Sequence, residues 1–78
     1  MPRFYFDFRE DGRLLTDDDG IDFPSLAFAA RAAAEIVRDS LLLSRDRKLQ
    51  EIAVEVRNES GEHVLSSTLT LNRRTDQN

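Results

Sequence analysis

An acidic run, Asp17-Asp18-Asp19-Gly20-Ile21-Asp22, is the part of the sequence whose residue types most suggest ligand binding. Hard cations such as Ca²⁺ bind clustered carboxylates, and calcium loops place a glycine at their sharp turn. With Gly20 at that turn, a calcium loop would need an acid at position 15 and a bidentate glutamate at position 26. The sequence has Leu15 and Leu26 there. We therefore predict that residues 17–22 form a solvated turn that favours the N-terminus of a following helix, with no bound metal or cofactor.

A basic cluster, Arg45, Arg47 and Lys48, could bind an anion or a nucleic acid. No aromatic residues alternate with it, and the whole chain has 11 basic and 15 acidic residues, a net charge of -4. Nucleic-acid-binding surfaces combine a basic balance with stacking aromatics. We interpret the cluster as complementing the C-terminal end of a helix dipole, and we expect no nucleic-acid partner.

His63 is the only histidine, and the chain has no cysteine. Nucleophilic catalysis needs a nucleophile, a base and an orienting acid within mutual reach. Without cysteine, the nucleophile would be a serine such as Ser60 or Ser66, on the same exposed hairpin as His63, and no motif implies a pocket there. We predict that His63 is a surface residue, that there are no catalytic residues, and that the protein is not an enzyme.

The length of 78 residues predicts one domain over residues 1–71, followed by a polar disordered tail at 72–78. Without cysteines, stability must come from packing rather than from disulfides. Asp7, Arg9 and Glu10 interrupt any apolar run of the signal-peptide type, and no later stretch approaches the length of a membrane span. We expect a soluble cytoplasmic protein that does not interact with membranes.

The chain begins with a predicted β-hairpin. Phenylalanine recurs at positions 4, 6 and 8, which is the period-2 pattern of a strand buried on one face. Asp11-Gly12 suits the two central positions of a type I′ turn, so residues 13–16 form the return strand. This register places Phe8 opposite Leu15, and both are apolar.

A single helix is predicted in the middle of the chain. Residues 17–24 contain Gly20, Pro24 and four acids, and we interpret them as a loop. Ser25 is the best N-cap, although Pro24 could also be the first helical residue. The helix then extends from residue 26 to about residue 43. Its apolar stripe consists of Leu26, Ala29, Ala30, Ala33, Ile36, Val37, Ser40 and Leu41.

A second hairpin is predicted after the helix, with a strand at residues 50–58 and a turn at Ser60-Gly61. Pairing outward from this turn sets Val56 opposite Leu65 on the apolar face. On the other face it sets Arg57 opposite Val64, and that face is polar enough to meet water. The predicted fold class is α+β, in the order β-β-α-β-β. A four-stranded, largely antiparallel sheet carries the helix on its apolar face, with spatial order 2-1-3-4.

Three apolar side chains do not fit this core. Tyr5 points away from the phenylalanine face, toward the outer face of the sheet. Phe28 and Leu42 lie on the polar side of the helix, where they could form a strip together with Ala32. This strip could be covered by the acidic loop, through Ile21 and Phe23, or by a partner. Tyr5, Phe28 and Leu42 are therefore our candidate partner-contact residues.

Several motifs resemble a family of short bacterial proteins known only as a domain of unknown function. They are the Met1-Pro2-Arg3 start with its following aromatics and Phe6, the Asp11-Gly12 turn, the acidic Asp17-x-x-Gly20, and Phe23-Pro24-Ser25-Leu26 before an Ala-rich helix. The similarity extends from residue 2 to about residue 71. It implies a single compact module and no transferable catalytic or ligand residues.

A weaker resemblance, over residues 4–43, is to small antitoxins of the HicB type. These pair an Asp-Gly hairpin with an acidic, proline-containing approach to an Ala-rich helix, and they also have a third strand before the helix. The first function we predict is a non-enzymatic protein-interaction or regulatory module that binds a protein partner or itself, through a sheet edge or the Phe28/Leu42 strip. The alternative is an antitoxin-like partner of a small basic protein, with the negative charge steering the encounter.

Overall fold

The computed structural model describes residues 1–43 and 50–70. The basic cluster at 45–48 and the polar tail at 72–78 lie outside this part of the chain. The elements are β1 (Arg3–Glu10), β2 (Arg13–Leu15), β3 (Ile21–Asp22), α1 (Leu26–Leu43), β4 (Glu51–Arg57) and β5 (His63–Thr70). The α+β class is confirmed, with five strands instead of the predicted four. In the described ranges, no helix has the length and apolar character needed to cross a membrane.

The strands are ordered β2-β1-β4-β5, and all neighbours are antiparallel. This confirms the predicted order, in which the phenylalanine-rich first strand is central. The short strand β3 also pairs with β1, at Arg3 and Phe4. Since β4 occupies the other side of β1, β2 and β3 share one edge of the sheet. The opposite edge of the sheet is formed by β5.

The first hairpin has the predicted register, with Phe8 opposite Leu15. Asp11 and Gly12 have φ angles of 48° and 88°, as a type I′ turn requires. The Asp11 carboxylate also accepts hydrogen bonds from the backbone N–H groups of Gln50 (3.1 Å) and Glu51 (2.9 Å). The turn residue therefore holds the start of β4 as well, a role that local sequence patterns do not indicate.

The second hairpin differs from the prediction beside its turn. Val56 lies opposite Leu65 as expected, but Arg57 lies opposite His63, so the predicted pairing of Arg57 with Val64 is wrong. The turn is wider than a two-residue loop because the Asn58 side-chain oxygen accepts hydrogen bonds from the N–H groups of Ser60 and Glu62. A β-bulge between Val56 and Arg57 absorbs the extra residue. Val64 packs against the core.

The core lies between the helix and the sheet. Ala29, Ala33 and Val37 are buried on the helix, and their small size lets α1 approach β4 and β5 closely. The sheet residues buried in this core are Phe4, Phe6, Ile52, Val54 and Val56. Leu26, predicted in the apolar stripe, is 42% exposed because it begins the helix at one end of this contact.

Strand β3 lies in the segment that we predicted to be entirely loop, so that prediction is wrong for Ile21 and Asp22. A two-residue strand is too short to give a periodic pattern. Next to it, the Phe23 N–H donates to the Pro2 carbonyl at 3.0 Å. The Phe23 ring packs edge-on against Phe6, with 5.9 Å between centroids. These contacts bring the chain to the helix start directly after Ser25, the predicted N-cap position; Pro24 is not helical.

Candidate functional site

The acidic run is structured mainly by Asp17. One oxygen of its carboxylate accepts a hydrogen bond from the Phe6 N–H at 3.0 Å. The other oxygen accepts from the N–H groups of Asp19 (3.0 Å) and Gly20 (3.2 Å). Phe6 lies in β1 between the residues that pair with β3 and those that pair with β2. The Asp17 carboxylate therefore accepts the Phe6 N–H in the gap between β3 and β2, where neither strand pairs with β1.

Among residues 1–43 and 50–70, Asp7 is the one charged residue that is buried, at 4% exposure. Its carboxylate accepts hydrogen bonds from Arg57 Nε at 2.6 Å and Nη2 at 3.0 Å, and from the Asp17 N–H at 3.0 Å. Arg57 Nη2 also donates to the Asp17 carbonyl at 2.9 Å. This bidentate ion pair, together with the hydrogen bonds to the Asp17 backbone, joins β1, β4 and the acidic loop. The sequence led us to expect that the outer face of the sheet meets water. At this position it is instead partly covered by the acidic loop.

Tyr5 has two close neighbours, Arg57 and Gly20. The Arg57 guanidinium lies over its ring, 5.1 Å from the centroid, which is a cation–π geometry. Gly20 lies against the same ring: a Cβ at that position would be 2.9 Å from Tyr5 Cε2. The outward-pointing tyrosine thus supports the acidic loop. Its predicted role in contacting a partner stays a prediction.

We call Tyr5, Asp7, Asp17 and Arg57 the loop clamp. The charged groups of Asp7, Asp17 and Arg57 form hydrogen bonds with one another or with backbone N–H and C=O groups inside the molecule. At the rim of the clamp, Arg3 binds Asp22 at 2.9 Å and the Asp19 carbonyl at 2.9 Å. Among the described residues, no group of three or more His, Cys, Asp or Glu side chains could hold a metal ion. The geometry of the clamp suits it to fixing the loop.

The pKa values of the Asp7 and Asp17 carboxyl groups are both lowered. Hydrogen bonds from the Arg57 side chain are the main cause for Asp7, and they outweigh the opposing effect of burial. For Asp17, burial is the largest single influence and raises the pKa. The hydrogen bonds from the N–H groups of Phe6, Gly20 and Asp19 together have a greater effect in the opposite direction, so the net pKa is lowered.

These lowered pKa values predict how stability depends on pH. An unfolded Asp carboxyl has a pKa of about 3.9. The stabilisation that the ionised Asp7 and Asp17 carboxylates provide is therefore fully present above that pH, and it is lost as the pH falls through their lower folded-state pKa values. We expect the free energy of unfolding, measured by urea titration, to decline below about pH 4. Asp7→Asn removes one titrating group, so its decline should be shallower. A variant whose curve parallels that of the wild type would contradict the role of Asp7.

The β5 edge, the side of residues 64–70 that faces away from β4, is the second notable feature. Within residues 1–43 and 50–70, no strand pairs with it. Residues 64–70 are Val-Leu-Ser-Ser-Thr-Leu-Thr, with neither charge nor proline. The opposite edge differs, since β2, β3 and the Asp17 carboxylate cover the side of β1. Within the described part of the chain, one edge of the sheet is therefore capped, whereas the β5 edge presents main-chain groups that pair with no other strand.

The other candidate residues are not brought together. Phe28 is 51% exposed and Leu42 is 74% exposed, and the acidic loop does not bury them. Phe23 packs against Phe6 instead, and Ala32 turns toward the core, so it is not part of an outer strip. His63 is exposed at the start of β5, which confirms its predicted surface position.

Comparison with known proteins gives one finding. A family model described as "Domain of unknown function (DUF6894)" matches residues 3–70, which include all five strands and the helix. No curated protein and no solved structure matches the chain. The comparisons thus confirm the predicted resemblance to a small family of unknown function, and they do not support the resemblance to HicB-type antitoxins.

Proposed function

The chain belongs to the DUF6894 family, a family of domains of unknown function, and on that premise we propose that it is a non-enzymatic protein-interaction module. Its contact site is the β5 edge. A partner binds by adding an extended strand beside β5, so that main-chain hydrogen bonds continue the sheet.

The observation that carries this proposal is the contrast between the two edges. Exposed edges invite pairing with other chains, and proteins usually protect them with charges, prolines, bulges or covering segments. The β1 side has such protection, from two short strands and a carboxylate. On β5, the bulge lies beside Arg57 at one end, and residues 64–70 have no protecting charge or proline.

The side chains of β5 give an added strand two different surfaces to recognise. Leu65 and Leu69 point to the helix side and pack, partly buried, against the core. Ser66, Thr68 and Thr70 are exposed on the other face. A partner strand with apolar residues on one face and hydroxyl or other small polar residues on the other would match both rows.

A role without catalysis is supported by the use of the polar groups. The charged groups of the loop clamp bond to one another or to backbone groups, and His63, which lies opposite Arg57 beside the clamp, is exposed. As part of the same proposal we place the module in the cytoplasm, and cell fractionation against a cytoplasmic marker enzyme tests that location.

Site-specific photo-crosslinking in the producing cells tests the proposal. Thr68 is replaced by p-benzoylphenylalanine; the matched control carries the same replacement at Thr16, an exposed threonine that follows β2 at the capped edge. Because a strand added to β5 would lie beside residue 68, irradiation should give a defined protein adduct from the Thr68 variant and none from the Thr16 variant. Mass spectrometry identifies the adduct and the crosslinked peptide.

Two outcomes would contradict the proposal. One is the absence of a Thr68 adduct from cells in which the variant is folded and abundant. The other is the same adduct from both variants, which would show nonspecific capture rather than binding at β5.

A further inference from the structure

We infer that the strand added to β5 is the β5 strand of a second copy of this chain. This inference rests on the proposed function, and it names the partner. Two copies related by a two-fold axis perpendicular to the sheet would pair their β5 strands in antiparallel fashion. The two sheets would then form one continuous sheet, with both helices on the same side.

The side-chain pattern of β5 selects one register. Directly opposite residues in an antiparallel pair have their side chains on the same face of the sheet. The two-fold axis must therefore place one residue of β5 directly opposite the same residue of the second copy. With Ser67 opposite its own copy, each Leu65 lies opposite Leu69 of the second copy. Shifting the axis to Ser66 or to Thr68 places a leucine opposite Ser67 instead. Pairing apolar residues with each other favours the register centred on Ser67.

This register also continues the core. Leu65 and Leu69 lie opposite Val56 and Ile52, which are fully buried beneath α1. Both leucines pack against that core but stay partly exposed at the edge. Joining two copies would cover their exposed sides with leucines of the other copy, which is favourable because apolar surface leaves water.

Electrostatics favour the same edge. Two copies with a net charge of -4 repel each other, so they associate most readily where their contact surface is uncharged. Residues 64–70 provide such a strip. The edge formed by β2 and β3 instead has Arg13, Asp19 and Asp22 at or beside its strands.

The length of the edge limits the strength of the dimer. An eight-residue strand is about 27 Å long, and a contact one strand wide is smaller than the interfaces of most stable dimers. We therefore expect a weak, reversible dimer, with a dissociation constant in the micromolar to millimolar range.

Cysteine substitution tests the register. Because the chain has no cysteine, a single introduced thiol can bond only to its counterpart in another copy. Directly opposite residues in antiparallel strands have Cα atoms about 4.5–5.5 Å apart, within the disulfide range. Ser67→Cys should therefore form a disulfide-linked dimer rapidly under mild oxidation. The matched control is Ser66→Cys, whose thiols would lie two residues out of register, with Cα atoms about 8 Å apart, and should link at least about tenfold more slowly.

Sedimentation equilibrium tests the dimer without any crosslink. The wild-type chain should show concentration-dependent association up to about 1 mM. Thr68→Lys places a charge on the β5 edge and should raise the dissociation constant at least about tenfold, whereas Thr16→Lys, the same change at the capped edge, should leave it unchanged. Circular dichroism establishes that each variant is folded.

The possible failures are distinguishable. A wild-type chain that stays monomeric up to about 1 mM, or equal linking rates for Ser67→Cys and Ser66→Cys, would overturn the dimer or its register. If Thr68 then crosslinks to a different protein in cells, the dimer is wrong and the interaction module stands. If Thr68 gives no adduct either, both proposals are wrong.

Discussion

Replacing Asp7 by alanine is expected to lower the free energy of unfolding by about 2–4 kcal/mol, measured by urea denaturation at pH 7. The substitution removes a buried carboxylate that accepts three hydrogen bonds, two from Arg57 and one from the Asp17 N–H. It leaves these donors beside β1 without their acceptor, and the acidic loop loses a main attachment. For a chain of this size the total stability is on the order of 4–12 kcal/mol, so this loss would be a large fraction of it.

The matched control is Glu55→Ala. Glu55 also pairs with an arginine on the outer face, Arg9, at 3.3 Å, but both side chains are partly exposed. Surface ion pairs of this kind contribute up to about 1 kcal/mol. If Asp7→Ala destabilises the protein no more than Glu55→Ala does, the loop clamp does not hold the fold together.

Replacing Gly20 by alanine is expected to cost about 2–4 kcal/mol, from two separate causes. Gly20 has a φ angle of +74°, which L-residues with a Cβ adopt only with strain. The new Cβ would also lie 2.8 Å from Arg3 Cγ and 2.9 Å from Tyr5 Cε2. Arg57 also lies over the tyrosine ring, so a shift of the ring would disturb the clamp.

Gly61→Ala separates these two causes. Gly61 has a similar φ of +86°, but a Cβ there would have no atom within 4 Å. This variant should lose only the conformational part, about 1 kcal/mol. Urea titration of both variants measures the difference. Equal losses would show that the loop does not press against Tyr5 and Arg3 in solution.

The sequence was most informative where a pattern repeats over several residues. The phenylalanines at 4, 6 and 8 identified the central strand, and the Asp11-Gly12 turn fixed its register with Leu15. Alanines at helical spacing identified the helix face, and the helix bounds were confirmed at Leu26 and Leu43. In each case the signal is local, because burial imposes its period on neighbouring residues.

The features that the sequence did not reveal depend on distant or very short contacts. Asp7 and Arg57 are 50 positions apart, and each looked like an ordinary polar residue on a solvated face. Strand β3 has only two residues, and its partner is the start of β1. A partial signal for the ion pair did exist: the predicted order made the first and third strands neighbours, and Asp7 and Arg57 were both expected on the outer face. The register that brings them together is seen only in the structure.

Amide hydrogen exchange along β5 tests the association site most directly. In an antiparallel edge strand, half of the N–H groups point toward the neighbouring strand and half point outward. We predict that the outward-pointing amides of residues 64–70 exchange quickly in dilute solution and slowly at about 1 mM, while those bonded to β4 stay slow at both concentrations. If the outward-pointing amides stay fast at the higher concentration and also in an extract of the producing cells, the β5 edge is not an association site.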